Sequence, residues 1–251
     1  SNAYPGKAVK MFAKEVDLVL AGFEEAKTRL IESKKVVVTG TPTKIRKLNI
    51  SSTRKKELLR EIGIKNELPI VLVFGGSQGA QAINEAVQEL VIQKLNKDYQ
   101  IIWAAGQKQY DIIKEKFEKE NMYINNLTNV KVLPYIYNME EMLNIADLVV
   151  CRSGAMTITE IAITGKPAIF VPLPSHSANR QEDNARVLEK IGAAKIILNK
   201  DLNAQRLSEE IDDIILKKSE LDEMGRLAET IAPKDVEEKI YSEIKQIIGE
   251  K

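Results

Sequence analysis

An α/β fold built on a doubly wound parallel sheet is what this 251-residue sequence predicts, from three features. From about residue 51 onward, short apolar runs of strand length alternate with helical stretches, which implies parallel pairing and right-handed crossovers. Two of the runs end in glycine turns that lead straight into helices, at 75–79 and 153–154. A further run, 168–171, opens into a polar loop at 172–181. Because the carboxyl ends of parallel strands share one edge of the sheet, all three loops are expected to face one cleft.

In chain order, Ser1-Asn2-Ala3 reads as a tag-cleavage scar, with natural sequence from about Tyr4. Residues 5–31 carry Val9, Phe12, Ala13, Val16, Leu20 and Phe23 at helical spacing and read as one or two helices with a break at Ala21-Gly22. Residues 36–38 read as a strand. A lone strand has no hydrogen-bonding neighbour, so residues 4–40 are expected to be the end of a preceding domain. Gly40-Thr41-Pro42-Thr43-Lys44 opens a turn-rich linker at 41–50.

The main domain, 51–232, is expected to run as helix 51–62, strand 70–74, helix 80–95, strand 100–104 and helix 108–118. Strand 130–133, a short helix at 139–145, strand 148–151, helix 155–164 and strand 168–171 follow, then helix 184–191 and strand 195–198. Residues 203–251 form three amphipathic helical stretches, broken near Lys218-Ser219 and at Pro233. The alternating charges of 234–239 read as a solvated face.

Composition narrows the function classes. The 37 basic and 36 acidic side chains nearly cancel, so nothing advertises a nucleic-acid surface. Cys151 is the only cysteine, which rules out an internal disulfide and makes a reducing compartment the default. At a strand end it reads as a small buried hydrophobe and not as a nucleophile. No apolar run approaches the roughly 20 residues needed to cross a bilayer.

The glycine turns carry the chemistry. Val71-Leu72-Val73-Phe74-Gly75-Gly76-Ser77-Gln78-Gly79-Ala80 is a strand, a turn and a helix start. Gly75, Gly76 and Gly79 remove Cβ atoms where a ligand must touch backbone, and Ser77 adds a hydroxyl within reach of phosphate. The Lys-Ser/Thr pair of a nucleoside-triphosphate loop is absent, as is the full Gly-x-Gly-x-x-Gly spacing. No acid ends the next strand, 101–104, where a dinucleotide fold holds ribose.

Ser153 and Gly154 stand at the second turn, where free backbone N–H groups and the positive end of a helix dipole suit a diphosphate. Glu160 lies roughly one and a half turns into that helix, too deep to serve mainly as an offset to the dipole. It is either a solvated helix residue or an acceptor for a pair of sugar hydroxyls. His176, the only histidine, reads as a surface-loop residue, and no Asp-x-Asp pair is available to hold a divalent ion.

Phe74-Gly75-Gly76-Ser77-Gln78-Gly79-Ala80, with Cys151-Arg152-Ser153-Gly154-Ala155-Met156-Thr157-Ile158-Thr159-Glu160-Ile161, resembles the MurG family. Phe170-Val171-Pro172, Gln181, Asn184-Ala185, Gly192-Ala193-Ala194 and Tyr135-Ile136 before Ala146-Asp147 continue the match, which runs from about residue 4 to 197. The resemblance implies two Rossmann-like halves facing across a cleft, the glycosyltransferase B fold. This chain would be the C-terminal, donor-binding half, and residues 4–40 a remnant of the acceptor-binding half. A last helix, 233–251, would cross back toward that first half and fray without it.

The implied activity is inverting transfer of N-acetylglucosamine from UDP-N-acetylglucosamine to lipid I, giving lipid II in peptidoglycan synthesis. It would proceed at the cytoplasmic face of the bacterial membrane, without metal or cofactor. Lipid I, the membrane and the general base would all be met by the first half, leaving no catalytic residue here.

Carried over by motif, Ser77 would meet the diphosphate and Ile136 would frame uracil through its backbone. Ala155, Met156 and Thr157 would line the nucleotide, Glu160 would bind the ribose hydroxyls, and Gln181 would contact the sugar. Where the family commonly has Asn-Pro-x-Arg, this chain has Thr41-Pro42-Thr43-Lys44, so Lys44 would meet phosphate as a point charge without a bidentate fork. A natural donor-binding subunit of a split glycosyltransferase is the alternative reading. A UDP-sugar epimerase would need further acid-base residues that these loops lack.

Overall fold

The computed structural model describes residues 1–64, 68–174 and 180–249. The chain opens with helix α1 (Lys7–Phe12), strand β1 (Val19–Ala21), helix α2 (Glu24–Lys27) and strand β2 (Val36–Val38). The helical reading of residues 5–31 is therefore corrected: 19–21 is extended and pairs in parallel with β2, Val19 opposite Val36. Val19 N–H donates to the Lys35 carbonyl at 2.9 Å, and Thr39 N–H donates to the Ala21 carbonyl at 3.0 Å. A three-residue run spans less than one helical turn, so its periodicity does not separate helix from strand. The strand at 36–38 is not alone.

The main sheet holds β3 (Ile70–Phe74), β4 (Gln100–Ala104), β5 (Val130–Leu133), β6 (Leu148–Cys151), β7 (Ala168–Phe170) and β8 (Ala194–Ile196). All pair in parallel, in the order β5-β4-β3-β6-β7-β8. The chain winds outward from β3 to β5, then returns beside β3 and winds the other way. The order reverses between β3 and β6, and a ligand crevice opens at such a reversal, beyond the carboxyl ends.

The crossovers and flanks are α3 (Ser52–Glu61), α4 (Gln81–Ile92), α5 (Gln107–Lys119), α6 (Met139–Ile145), α7 (Ala155–Thr164) and α8 (Arg180–Lys190). Three more, α9 (Ala204–Ile215), α10 (Lys218–Thr230) and α11 (Val236–Ile248), close the chain. No described helix is long and apolar enough to cross a membrane.

Alternation along each strand sends successive side chains to opposite faces, so the sheet carries a core on each side. Val71, Val73, Trp103 and Val150 pack with Leu90 of α4 and Leu207 of α9 on one face. Leu72, Ile102 and Val149 pack with Leu58 of α3, Leu143 of α6 and Ile158 of α7 on the other. Each such side chain taken fully out of water contributes about 1.5–3 kcal/mol.

A buried polar knot ties the glycine-turn side of the sheet together. Trp103 Nε1–H donates to Asn84 Oδ1 at 2.9 Å, and Asn84 Nδ2–H donates to the Ala105 carbonyl at 2.8 Å and to Gln109 Oε1 at 2.7 Å. One carboxamide thus joins α4, the end of β4 and α5. Asn84→Leu is expected to cost about 2 kcal/mol in denaturant unfolding, because it leaves the Trp103 N–H and the Ala105 carbonyl buried and unpaired. A loss under 0.5 kcal/mol would show the knot to be dispensable.

Residues 43–48 run along α6 and are stapled to it. Arg46 N–H donates to Glu140 Oε1 at 2.9 Å, Leu48 N–H donates to Asn144 Oδ1 at 2.8 Å, and Asn144 Nδ2–H returns a bond to the Arg46 carbonyl at 2.8 Å. At the other end of the chain, Gly40 lies against Pro233, and Lys35 Nζ meets Glu243 Oε2 of α11 at 2.5 Å. α11 buries Val236 and leaves Tyr241, Ile244, Ile247 and Ile248 exposed. Ala3 is packed in, its N–H donating to Asn184 Oδ1 at 2.9 Å.

Candidate functional site

The register sets the site. Phe74 at the end of β3 pairs with Cys151 at the end of β6 and with Ala104 at the end of β4, so the turns that follow these strands emerge side by side. Gly79 N–H closes the first turn on the Gly76 carbonyl at 2.9 Å. Gly79 has φ +76°, and a Cβ there would stand 2.2 Å from the Ala105 carbonyl oxygen. A Cβ on Gly75 would stand 2.3 Å from the Ala80 nitrogen. Two of the three glycines are thus required for the turn to lie on the sheet end, whereas Gly76, with φ +88°, faces open space.

Helices α4 and α7 both start at this edge, and neither N-cap residue, Ala80 or Gly154, offers a side chain to the first-turn amides. A helix begins with four N–H groups that lack intrahelical partners and carries about half a positive charge there. Two such ends meet at one cleft of about 620 Å³, within the usual range for a small-molecule site.

The cleft brings together Gly75, Gly76, Gly79, Gly154, Thr157 and Gln181 of the expected site residues. Ser77 sits exposed on the turn tip beside them. Ser153 is fully buried beneath the cleft: its hydroxyl donates to the Gln181 carbonyl at 2.7 Å, and its own carbonyl accepts from Asn184 Nδ2 at 3.1 Å. Ala155 is half-buried and Met156 exposed on the first turn of α7. Ile136 has its side chain in the core below, flanked by the exposed Tyr135 and Tyr137.

Glu160 lies further along α7, half-buried, and accepts a hydrogen bond from the Thr43 hydroxyl at 3.3 Å. Burial raises its carboxyl above the ordinary glutamate range, and the Thr43 bond works in the opposite direction. Lys44, next to Thr43, is exposed. Gln181 was expected in a loop but belongs to the first turn of α8, where its Oε1 accepts from Leu173 N–H at 2.9 Å. His176 lies outside the described residues. Cys151 is a buried free thiol, its pKa pushed well up by burial, as suits a packing residue.

Sequence reasoning missed Arg152 and Asn199. Both line the cleft, together with Leu173, Pro174, Gln81 and Glu85. Arg152 Nη1 donates to the Val171 carbonyl at 2.9 Å, the Pro172 carbonyl at 3.1 Å and Asn199 Oδ1 at 2.8 Å. Arg152 stands in the segment 151–161, directly after an apolar strand, but no role was attached to it; Asn199 had no local signal.

The C-terminal domain of glycosyltransferase family 28 matches residues 70–240. A protein of Acetivibrio thermocellus described as UDP-N-acetylglucosamine–N-acetylmuramyl-(pentapeptide) pyrophosphoryl-undecaprenol N-acetylglucosamine transferase is 38% identical over 251 residues. The match takes in 100% of this chain and 66% of that protein. The crystal structure of Acinetobacter baumannii MurG superposes with a TM-score of 0.75 at 27% identity, covering 98% of this chain and 65% of that one. A UDP-N-acetylglucosamine 2-epimerase from Neisseria meningitidis shares the fold, at a TM-score of 0.67 and 15% identity over 97% of this chain and 66% of that one.

Proposed function

Since the chain belongs to glycosyltransferase family 28 and carries that family's C-terminal domain, we propose that it is the donor-binding part of an inverting N-acetylglucosaminyltransferase. The donor is UDP-N-acetylglucosamine and the acceptor is lipid I. The observation that carries this reading is the meeting of two uncapped helix N-termini and a glycine turn where the strand order reverses. The chain spans 66% of the length of its Acetivibrio relative. Lipid I, the general base and contact with the cytoplasmic face of the membrane are assigned to the remainder of the complete protein. The exposed Val9, Met11 and Phe12 of α1, with Tyr241, Ile244 and Ile247 of α11, give that remainder an apolar surface to cover.

In the transfer, the acceptor hydroxyl oxygen attacks the anomeric carbon. The bond from that carbon to the β-phosphate oxygen breaks, its electron pair leaves with UDP, and the hydroxyl proton passes to the base. Charge grows on the departing phosphate, and preorganised amide donors at α4 and α7 stabilise it without reorganising. Gly75, Gly76, Ser77 and Gly79 take one side of the diphosphate, and Gly154 the other through its backbone.

Ala155, Met156 and Thr157 line the nucleotide, Ile136 frames uracil and Glu160 takes the ribose hydroxyls. Gln181 faces the sugar, and Lys44 reaches phosphate from the linker.

Because the anion site is made of peptide dipoles, donor binding is expected to be indifferent to divalent ions. Calorimetric titration of the chain with UDP-N-acetylglucosamine should give the same dissociation constant with and without a chelator. Affinity abolished by the chelator would contradict this account of the site.

A further inference from the structure

We propose that Thr43 is a positioning residue for ribose recognition: its hydroxyl, aimed by the linker backbone, fixes the Glu160 carboxylate in the orientation that takes the two sugar hydroxyls, and so sharpens the preference for a ribonucleotide over a deoxynucleotide. The inference deepens the donor-binding reading above and rests on it.

Thr43 stands at the position that the Asn-Pro-x-Arg pattern leaves open. The chain holds it from both sides: Thr41 is buried, and Ile45 packs half-buried against the core that α3, α6 and α7 cover. The Thr43 hydroxyl accepts from Ile45 N–H at 3.2 Å and donates to Glu160 Oε1 at 3.3 Å. A threonine hydroxyl has a single proton, and with one lone pair taken by the amide that proton is directed at the carboxylate. Branching at Cβ restricts χ1, which keeps the oxygen in place.

The bond adds little to the anchoring of the linker. Residues 46–48 are already fixed to α6 through Glu140 and Asn144, and Lys47 Nζ meets Glu229 Oε2 at 2.6 Å. What it does fix is Glu160, whose carboxylate has no other hydrogen bond or ion pair among the described residues. A glutamate side chain with nothing to hold it gives up rotamer freedom when a ligand orders it, and that cost is met here before the ligand arrives. A carboxylate has about four acceptor sites. Thr43 occupies one, which leaves room for two adjacent hydroxyls, so both contacts can be made together. Burial works to neutralise Glu160 and the Thr43 bond opposes it, so the hydroxyl also favours the ionised form that accepts from ribose. A nucleotide without those hydroxyls gains nothing from the arrangement.

The test titrates UDP and 2′,3′-dideoxy-UDP, which lacks both ribose hydroxyls, into the full chain and into Thr43→Val, Thr43→Ser, Glu160→Ala and the double variant of Thr43→Val with Glu160→Ala. Thr43→Val is expected to weaken UDP by roughly three- to tenfold and to leave dideoxy-UDP within about twofold. Thr43→Ser, which keeps the hydroxyl, should recover most of that loss, and Thr43→Val should cost nothing further once Glu160 is alanine. A folded Thr43→Val that binds UDP as wild type does, weakens both ligands equally, or loses as much in the absence of Glu160, would overturn the proposal. Should Thr43→Val not fold, Thr43→Ala carries the same expectation, and an unchanged ratio of UDP to dideoxy-UDP affinity there overturns it instead. A wild-type chain that binds no UDP, or a Glu160→Ala chain that binds it unchanged, would sink the donor-site reading on which the inference rests. A silent Thr43→Val beside a weakened Glu160→Ala would sink the inference and leave that reading standing.

Discussion

Glu160→Ala is expected to weaken UDP-N-acetylglucosamine binding by roughly ten- to a hundredfold, the equivalent of a charged hydrogen bond worth about 1.5–3 kcal/mol. The carboxylate is half-buried on α7 and has one neutral partner, the Thr43 hydroxyl at 3.3 Å. Its remaining lone pairs face no described cation, and two adjacent ribose hydroxyls are the donors that fit. Burial raises its pKa above that of a free glutamate. A raised carboxyl favours the folded state when protonated, so its contribution to stability grows as pH falls through the folded pKa. At neutral pH, removing the charge should therefore leave the melting temperature unchanged or slightly higher.

Ligand binding runs the other way. The ionised form accepts the hydroxyls, so donor affinity should fall on acidification, beginning above the ordinary glutamate range. The diphosphate of UDP-N-acetylglucosamine does not itself titrate there, and Glu160→Gln should flatten the profile. An unchanged dissociation constant in folded Glu160→Ala would remove this residue from the site.

Gly79→Ala is expected to destabilise the fold by about 2–5 kcal/mol and to abolish measurable donor binding. Two costs combine: a positive φ for a residue with a side chain, roughly 1–2 kcal/mol, and overpacking against backbone, roughly 1–3 kcal/mol. The second is severe because the atom met is the Ala105 carbonyl oxygen, 2.2 Å from the added Cβ, and that oxygen already accepts from Asn84. The two nearest atoms, the carbonyl oxygen and carbon of Ala105, are backbone and cannot swing aside. Gly76→Ala supplies the contrast: its φ is +88°, but nothing lies within 4 Å, so the conformational cost stands alone at about 1 kcal/mol. Equal melting temperatures for the two variants would mean that the close packing of the turn does not hold it in place.

The central strands were legible because parallel strands covered on both faces read as unbroken apolar runs between turn residues. β3, β4, β5 and β6 fall on the expected residues, and α7 runs from 155 to 164 as expected, bounded by Gly154 and by Gly165 at φ +61°. Edges were harder. α8 already includes Arg180, whereas the helix was expected from about 184, because Arg180-Gln181-Glu182 has no apolar periodicity to announce a helix. β1 was lost because its partner, β2, lies beyond an intervening helix and only the pairing makes it a strand.

Within the site, residues that a local motif marks, the glycines and the first turn of α7, could be named in advance. Arg152, Asn199 and the Thr43 bond to Glu160 could not. They are joined across 19 to 117 residues of sequence by hydrogen bonds that leave no local spacing.

The account turns on amide groups at the reversal of strand order holding the diphosphate. Backbone amide shifts of isotope-labelled protein, followed during titration with UDP-N-acetylglucosamine and separately with uridine, test it most directly. The sugar nucleotide should move Gly75, Gly76, Gly79, Gly154 and Ala155, and uridine should leave the glycine-turn amides in place. A second cleft, of about 770 Å³ and lined by Lys94, Asn96, Tyr123 and Asn129, opens beside the amino ends of β4 and β5. Shifts concentrated there, or glycine amides that respond equally to both ligands, would contradict it.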